Sequence, residues 1–235
     1  MFPTWKTLIV PALLLAFVIP ARSAGLWLDL APGEAKANGK SVVIVTGDEE
    51  YRSEEAGPLL GKILARRFGY KVRVCFAIHP EGGYIDPNYQ GNIPGLEALL
   101  DADLMIIATR FRQLPDEQLA HIAAYLDAGK PVIGLRTATH AFTGQAKTGD
   151  FRWAEFGLRI LGEKWVAHHG KHKKEGARGV VVEENKNHPV LNSVSDVFAT
   201  ADVYTVKNLD EDEALMLLRG AVTKTLAPDS EILED

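Results

Sequence analysis

Four apolar runs, set apart by stretches of helical periodicity, are what most limits the fold open to this chain. SVVIVTG (41–47), YKVRVCFAI (70–78), DLMIIAT (103–109) and KPVIGL (130–135) read as strands. Between them, EEAGPLLGKILARRFG (54–69) repeats Leu59, Leu60, Ile63, Leu64 and Phe68 at helical spacing and stops at Gly69. IPGLEALLDA (93–102) reads as a short helix, and LPDEQLAHIAAYLDAG (114–129) opens on Pro and acids and closes on Gly. Continuously apolar strands need cover on both faces. Alternating with helices through right-handed crossovers, they imply an α/β protein with a three-layer α/β/α, doubly wound, mostly parallel sheet. Beyond residue 150 the pattern loosens. WAEFGLRILG (153–162) looks helical, and GVVVEE (179–184), DVYTV (202–206) and ALMLLRG (214–220) look like strands.

The 235 residues suffice for one such domain with a sizeable core. A net charge of −5 argues against a nucleic-acid surface. The amino terminus reads differently from the rest. Lys6, the uncharged run LIVPALLLAFVI (8–19) and small residues in PARSAG (20–25) make a secretory signal over residues 1–23. The run is too short to span a membrane comfortably, so a secreted or periplasmic protein without a stable membrane span is expected. Residues 24–39 then read as a flexible lead, and 40–235 as the folded domain. Cys75 is the only cysteine, which excludes an internal disulfide and a cysteine zinc cage. Within VRVCFAI it reads as a buried, inert thiol.

In such sheets ligands bind outside the carboxyl ends of the strands. Those ends lead into GDEEYRSEE (47–55), HPEGGYIDPNYQGN (79–92), TRFRQ (109–113) and RTATHAF (136–142), all polar. The second is long for a strand-to-helix loop, which marks a functional loop or lid. Ser53, followed by acids, reads as the N-cap of the first helix.

GDEEYRSEE, LPDEQLAHIAAYLDAGKPVIGLRTATHAF (114–142), WVAHHGKH (165–172), NHPVL (187–191) and ADVYTV (201–206) together resemble the ThuA-like (trehalose-utilisation) proteins. These belong to the class I glutamine amidotransferase-like superfamily. The resemblance covers most of residues 41–206 and implies a flavodoxin-like sheet, export and a part in carbohydrate breakdown. Two departures stand out. Many members carry His in the turn after the fourth strand, where this chain has Arg136. The family domain also usually continues with a further strand and a closing helix. Here the chain ends in APDSEILED, without apolar periodicity, so a truncated carboxyl terminus is expected.

The amidotransferases of that superfamily carry G-x-C-x-G-x-Q in this turn, and GLRTATH (134–140) sets Arg136 at the cysteine. A guanidinium stays protonated, so it neither attacks nor acts as a base, and amidotransferase chemistry is excluded. Arg136 can offer paired donors to carboxylate, phosphate or sugar oxygens, helped by the backbone of the following turn at Thr137. Alternatively it is a buried arginine paired with Glu50 or Glu54. Thr137 or Thr139 would need an adjacent base to attack. His140, one helical turn past Arg136, faces the same pocket or sits in the core.

In HHGKH, His168, His169 and His172 could supply a general base, metal ligands or merely a basic loop. Their spacing is not the helical H-x-x-x-H of zinc proteases, and Lys171, Lys173 and Lys174 disfavour a dication, so no metal or cofactor is assigned. Proton transfer falls to His140, His168 or His169. Ligand binding falls to Arg136, Thr137, Arg110, Glu50, Tyr51 and the Asp202-x-Tyr204 pair, which follows an acid-x-Tyr pattern of the family. The expected ligand is a sugar or an oxidised sugar derivative. A non-catalytic carbohydrate-binding module is the rival reading, and a metal-dependent hydrolase the third.

Overall fold

The computed structural model describes residues 25–233, so the expected signal peptide (1–23) lies outside the described residues. The main sheet holds β1 (Trp27–Leu30), β2 (Ser41–Gly47), β3 (Lys71–Cys75), β4 (Leu104–Thr109) and β5 (Val132–Gly134), in the order β1-β3-β2-β4-β5. The four strands expected from the apolar runs are mutually parallel, with neighbours on either side of β2. The fifth strand comes from the segment expected to be a flexible lead. β1 pairs antiparallel with β3, from Trp27 opposite Cys75 to Leu30 opposite Val72, which makes the sheet mixed. Arg73 fixes this edge by donating two hydrogen bonds to Asp29, at 2.8 and 3.0 Å.

Strand alternation divides the core in two. Val42, Ile44, Val72, Val74 and Ile106 meet α1 (Ser53–Phe68), with Leu60, Leu64 and Ala65 inside. Val43, Val45, Met105 and Ile107 meet the 3-10 segment Leu96–Asp101 and α2 (Asp116–Asp127), together with Trp153 and Phe156. Cys75 is fully buried there, and burial pushes its thiol pKa up, as an inert cysteine requires. α1 approaches its strands closely because glycine faces them. A Cβ on Gly57 would stand 2.6 Å from the Thr46 methyl and 3.2 Å from Val74. Cover on both faces fails at β5, which forms the far edge of the sheet and leaves Ile133 46 % exposed.

Past residue 140 the chain makes smaller antiparallel pieces. β6 (Lys147–Thr148) and β7 (Phe151–Arg152) form a hairpin, followed by a 3-10 turn and α3 (Phe156–Leu161), so the helix expected over 153–162 is shorter than its pattern. β8 (His168–His169) pairs with β11 (Val203–Tyr204), and β9 (Gly176–Val181) lies between β10 (Val197–Ala199) and β12 (Leu218–Thr223). One carboxylate ties this region together. Glu163, just after α3, accepts N–H bonds from Lys164, Lys207 and Asn208 and one from the Asn208 side chain, all at 2.7–2.8 Å. Burial opposes its charge, but the donors more than offset this and hold its pKa down at about 2. Among the described residues no helix is long and apolar enough to cross a membrane.

Two outcomes follow. Gly57→Ala gains helix propensity, yet its methyl collides with Thr46, so urea unfolding should show a net loss of about 1–3 kcal/mol. Glu163 has a folded pKa below its ordinary 4.5, so its contribution is complete above that pH and is lost as pH falls towards about 2. Glu163→Gln should therefore cost about 2–3 kcal/mol at neutral pH in the same assay, with the gap to the native protein narrowing across that acid window.

Candidate functional site

β2 ends in a buried acid. Asp48, 2 % exposed, accepts the backbone N–H groups of Glu50 (2.9 Å) and Tyr51 (3.3 Å) on one oxygen and the Thr137 hydroxyl (2.5 Å) on the other. This bends 48–51 into a tight turn and joins the exits of β2 and β5. Ser53 does not cap α1. Its Oγ accepts the N–H groups of Gly47 and Asp48 at 3.0 and 2.8 Å, tying the helix start to the strand end, and left-handed Arg52 (φ 53°) precedes the helix without a side-chain cap. Glu49 bridges Arg110 and Arg112. Arg112 is wholly buried and donates to the carbonyls of Arg110, Pro87 and Tyr89 at 2.7–3.0 Å, so it pins the long 79–92 loop over the strand ends. Glu50 lies 3.3 Å from Arg110 Nε.

After β5 the chain turns sharply at Arg136, whose φ of 37° is left-handed, into the 3-10 turn Arg136–His140. A non-glycine residue held there costs on the order of 1–2 kcal/mol. Its guanidinium donates 2.8 Å bonds to the backbone carbonyl and to Oδ1 of Asp202. The same group packs on two rings, with Cζ 4.1 Å from the Tyr204 centroid and 4.7 Å from that of Tyr51. The acid paired with Arg136 is therefore Asp202, and neither Glu50 nor Glu54. Asp202 is 1 % exposed, and its second oxygen faces two imidazoles, His168 Nδ1 at 2.6 Å and His172 Nδ1 at 3.2 Å. Burial opposes its charge, but donors from His172 and Arg136 prevail and hold its pKa below the usual carboxylate range.

His140 stands beside this group, its ring within 4.9–5.9 Å of Phe111, Trp165 and Tyr204. Burial, then the cations Arg110 and Arg136, press its pKa down to about 4, so the ring is neutral at neutral pH. The Thr139 hydroxyl lies 3.2 Å from His140 Nδ1 and 3.3 Å from the Arg136 carbonyl, which holds the ring in place. Burial pushes the Tyr204 pKa up, which keeps its hydroxyl protonated.

Of the residues singled out in the sequence, Arg136, Asp202, Tyr204, Tyr51, His140 and His168 come together, with Arg110 and Glu50 at the rim. Thr137 is buried against Asp48 and serves the scaffold. His169 faces away. Successive residues of β8 point to opposite sides, and His169 lines a hollow with Val203, Val206, Leu209 and Met216. Sequence reasoning did not single out Asp48, which directly follows β2, or Glu49 after it. A hollow at the opposite end of the sheet, lined by Ala31, Pro32, Ala37 and Lys40, gathers none of this chemistry. The arrangement at the strand ends can bind an oxygen-rich ligand, move a proton through His140 or the Asp202–His168 pair, or hold a metal ion. For the last, His168, His172 and Asp202 place their donor atoms within 4.8 Å of one another.

Arg136→Ala would leave Oδ1 and the carbonyl of buried Asp202 without a donor, with only the imidazoles on Oδ2, and should cost about 1–3 kcal/mol in chemical denaturation. Arg136→Lys keeps the charge but cannot make both bonds, and should recover only part of that loss.

No protein-family model matches the sequence, and neither does any curated protein. Among solved structures, the chain is similar to a ThuA-like protein from Bacteroides uniformis, at 13 % identity and a TM-score of 0.43, over 83 % of this chain and 65 % of that one. At that level of identity and overlap no residue role transfers, and the chain spans less than two thirds of the neighbour's length.

Proposed function

We propose that the protein is an exported ThuA-like enzyme of carbohydrate utilisation, with a flavodoxin-like three-layer fold, acting on a sugar or an oxidised sugar derivative at the strand ends. One observation carries the reading. Arg136 is locked onto Asp202 between the rings of Tyr51 and Tyr204, next to a neutral histidine. Aromatic rings such as Tyr204 and Trp165 suit the C–H faces of a sugar, and the cations Arg136 and Arg110 suit its hydroxyl, carbonyl or carboxylate oxygens. The neutral His140 imidazole takes a proton from the bound ligand, and the two guanidiniums stabilise the negative charge that develops. No cysteine stands in the turn after β5, so a covalent acyl intermediate on a thiol cannot form there.

A panel of sugars, keto-sugars and lactones tests this. Turnover of at least one compound is expected, with His140→Ala lowering kcat by about 10²–10⁴-fold while ligand-induced thermal stabilisation persists. Stabilisation by a sugar with no turnover of any compound would support the binding-module reading instead. No response to the whole panel would overturn both.

A further inference from the structure

We propose that His168, His172 and Asp202 form a binding site for one first-row divalent cation of the zinc type. The three belong to two separate stretches of chain that the β8–β11 pairing brings together, with Val203 opposite His169 and Tyr204 opposite His168. Asp202 spends Oδ1 and its backbone carbonyl on Arg136, which leaves Oδ2 alone for the imidazoles. Both rings turn the same nitrogen, Nδ1, to that one oxygen, and the rings lie 4.9 Å apart. In the protein without a cation, two imidazole nitrogens crowd one carboxylate oxygen, and only that of His172 is placed for a hydrogen bond. A cation among them would instead take three lone pairs.

Distances agree with this. Tetrahedral zinc with bonds of about 2.0–2.1 Å sets its donor atoms about 3.3 Å apart. The His172–Asp202 separation is 3.2 Å, the 2.6 Å His168–Asp202 contact would lengthen by under about 1 Å, and all three donor atoms already lie within 4.8 Å of one another. Two histidines and a carboxylate leave a fourth position for water or ligand, the pattern of catalytic rather than structural metal centres.

The surroundings meet the further needs of a metal centre. His172 Nε2 stands 4.0 Å from Glu50 Oε1, beyond hydrogen-bond length but within reach of an outer carboxylate that could orient a ligating histidine through a small shift. Trp165 and Tyr204 pack edge-on against His168 and fix its ring. The turn carrying His172 is anchored by buried Glu175, which accepts the backbone N–H of Lys171 at 2.6 Å and its ammonium at 3.1 Å. Lys171 is thereby neutralised and its side chain 75 % exposed, and Lys173 and Lys174 are exposed as well. The lysines that argued against a dication in the sequence thus stand in solvent. At the strand ends the carboxylates of Asp48, Glu49, Glu50 and Asp202 face the guanidiniums of Arg110, Arg112 and Arg136, an excess of one negative charge.

The test reads the metal itself and does not depend on sugar turnover. Full-length protein is stripped with a chelator, then titrated with Zn2+ by calorimetry and with Co2+ by visible absorption. One ion per chain is expected, with a rise in melting temperature on adding Zn2+. His168→Ala and His172→Ala should each weaken binding by about tenfold or more, while His169→Ala, one residue away on the opposite face, binds as the native protein does. Asp202→Asn also disturbs Arg136 and can fail to fold, so the half-exposed His172 gives the decisive variant. The proposal is overturned if the native chain takes up no ion, if His172→Ala binds undiminished, or if all three alanine variants weaken binding equally. A sugar panel without response would leave it standing.

Discussion

Burying the Asp202 carboxylate obliges the rest of the site to form around it. An unpaired charge at that depth costs several kcal/mol, and the pair with Arg136 removes most of that cost. Arg136 can reach it only because the chain leaves β5 through a left-handed residue, a conformation that the sequence alone would not favour. Asp202 in turn immediately precedes the β11 strand, so the contact fastens the β8–β11 ribbon to the main sheet. Without it the two histidines would belong to a surface loop. With it they face the strand exits.

The core half of the molecule was readable from residue pattern. β2, α1 and α2 fall within about two residues of their expected limits because buried strands, acid-rich helix starts and glycine helix ends leave local marks. β1 left none, since its stability comes from pairing with a strand more than forty residues away. The exposure of β5 was hidden for a related reason, because an apolar run does not say whether it is central or at the edge. In the site, the pairing of Arg136 with Asp202 spans 66 residues, and no spacing rule predicts it. Ser53 misled for the opposite reason. A serine before acids satisfies the helix-start pattern, but its oxygen had a nearer use at the end of β2.

A turn of this shape after a parallel strand usually displays a nucleophile. Here the strained position displays a cation packed against two tyrosine rings and bonded along one edge to an aspartate. Strain is retained because the surrounding contacts over-determine it. The charge is therefore fixed in place before any ligand arrives, which is what electrostatic stabilisation of a reacting group requires. Buried Arg112 does the same for the neighbouring loop, so two guanidiniums, one from each of two strand exits, hold the mouth of the sheet open in one geometry.

The two-residue strand β8 also has a bearing on how sequences of this kind are to be compared. His168 meets Asp202 and His169 does not, purely because side chains alternate along a strand. Losing or gaining a single residue in the linker that leads from α3 would exchange the two, turning the hollow-facing imidazole inward. The number of residues between Gly162 and His168 is thus as informative as the identity of the histidines. A chain bearing the same HH pair with a linker of different parity would present another atom to the buried acid.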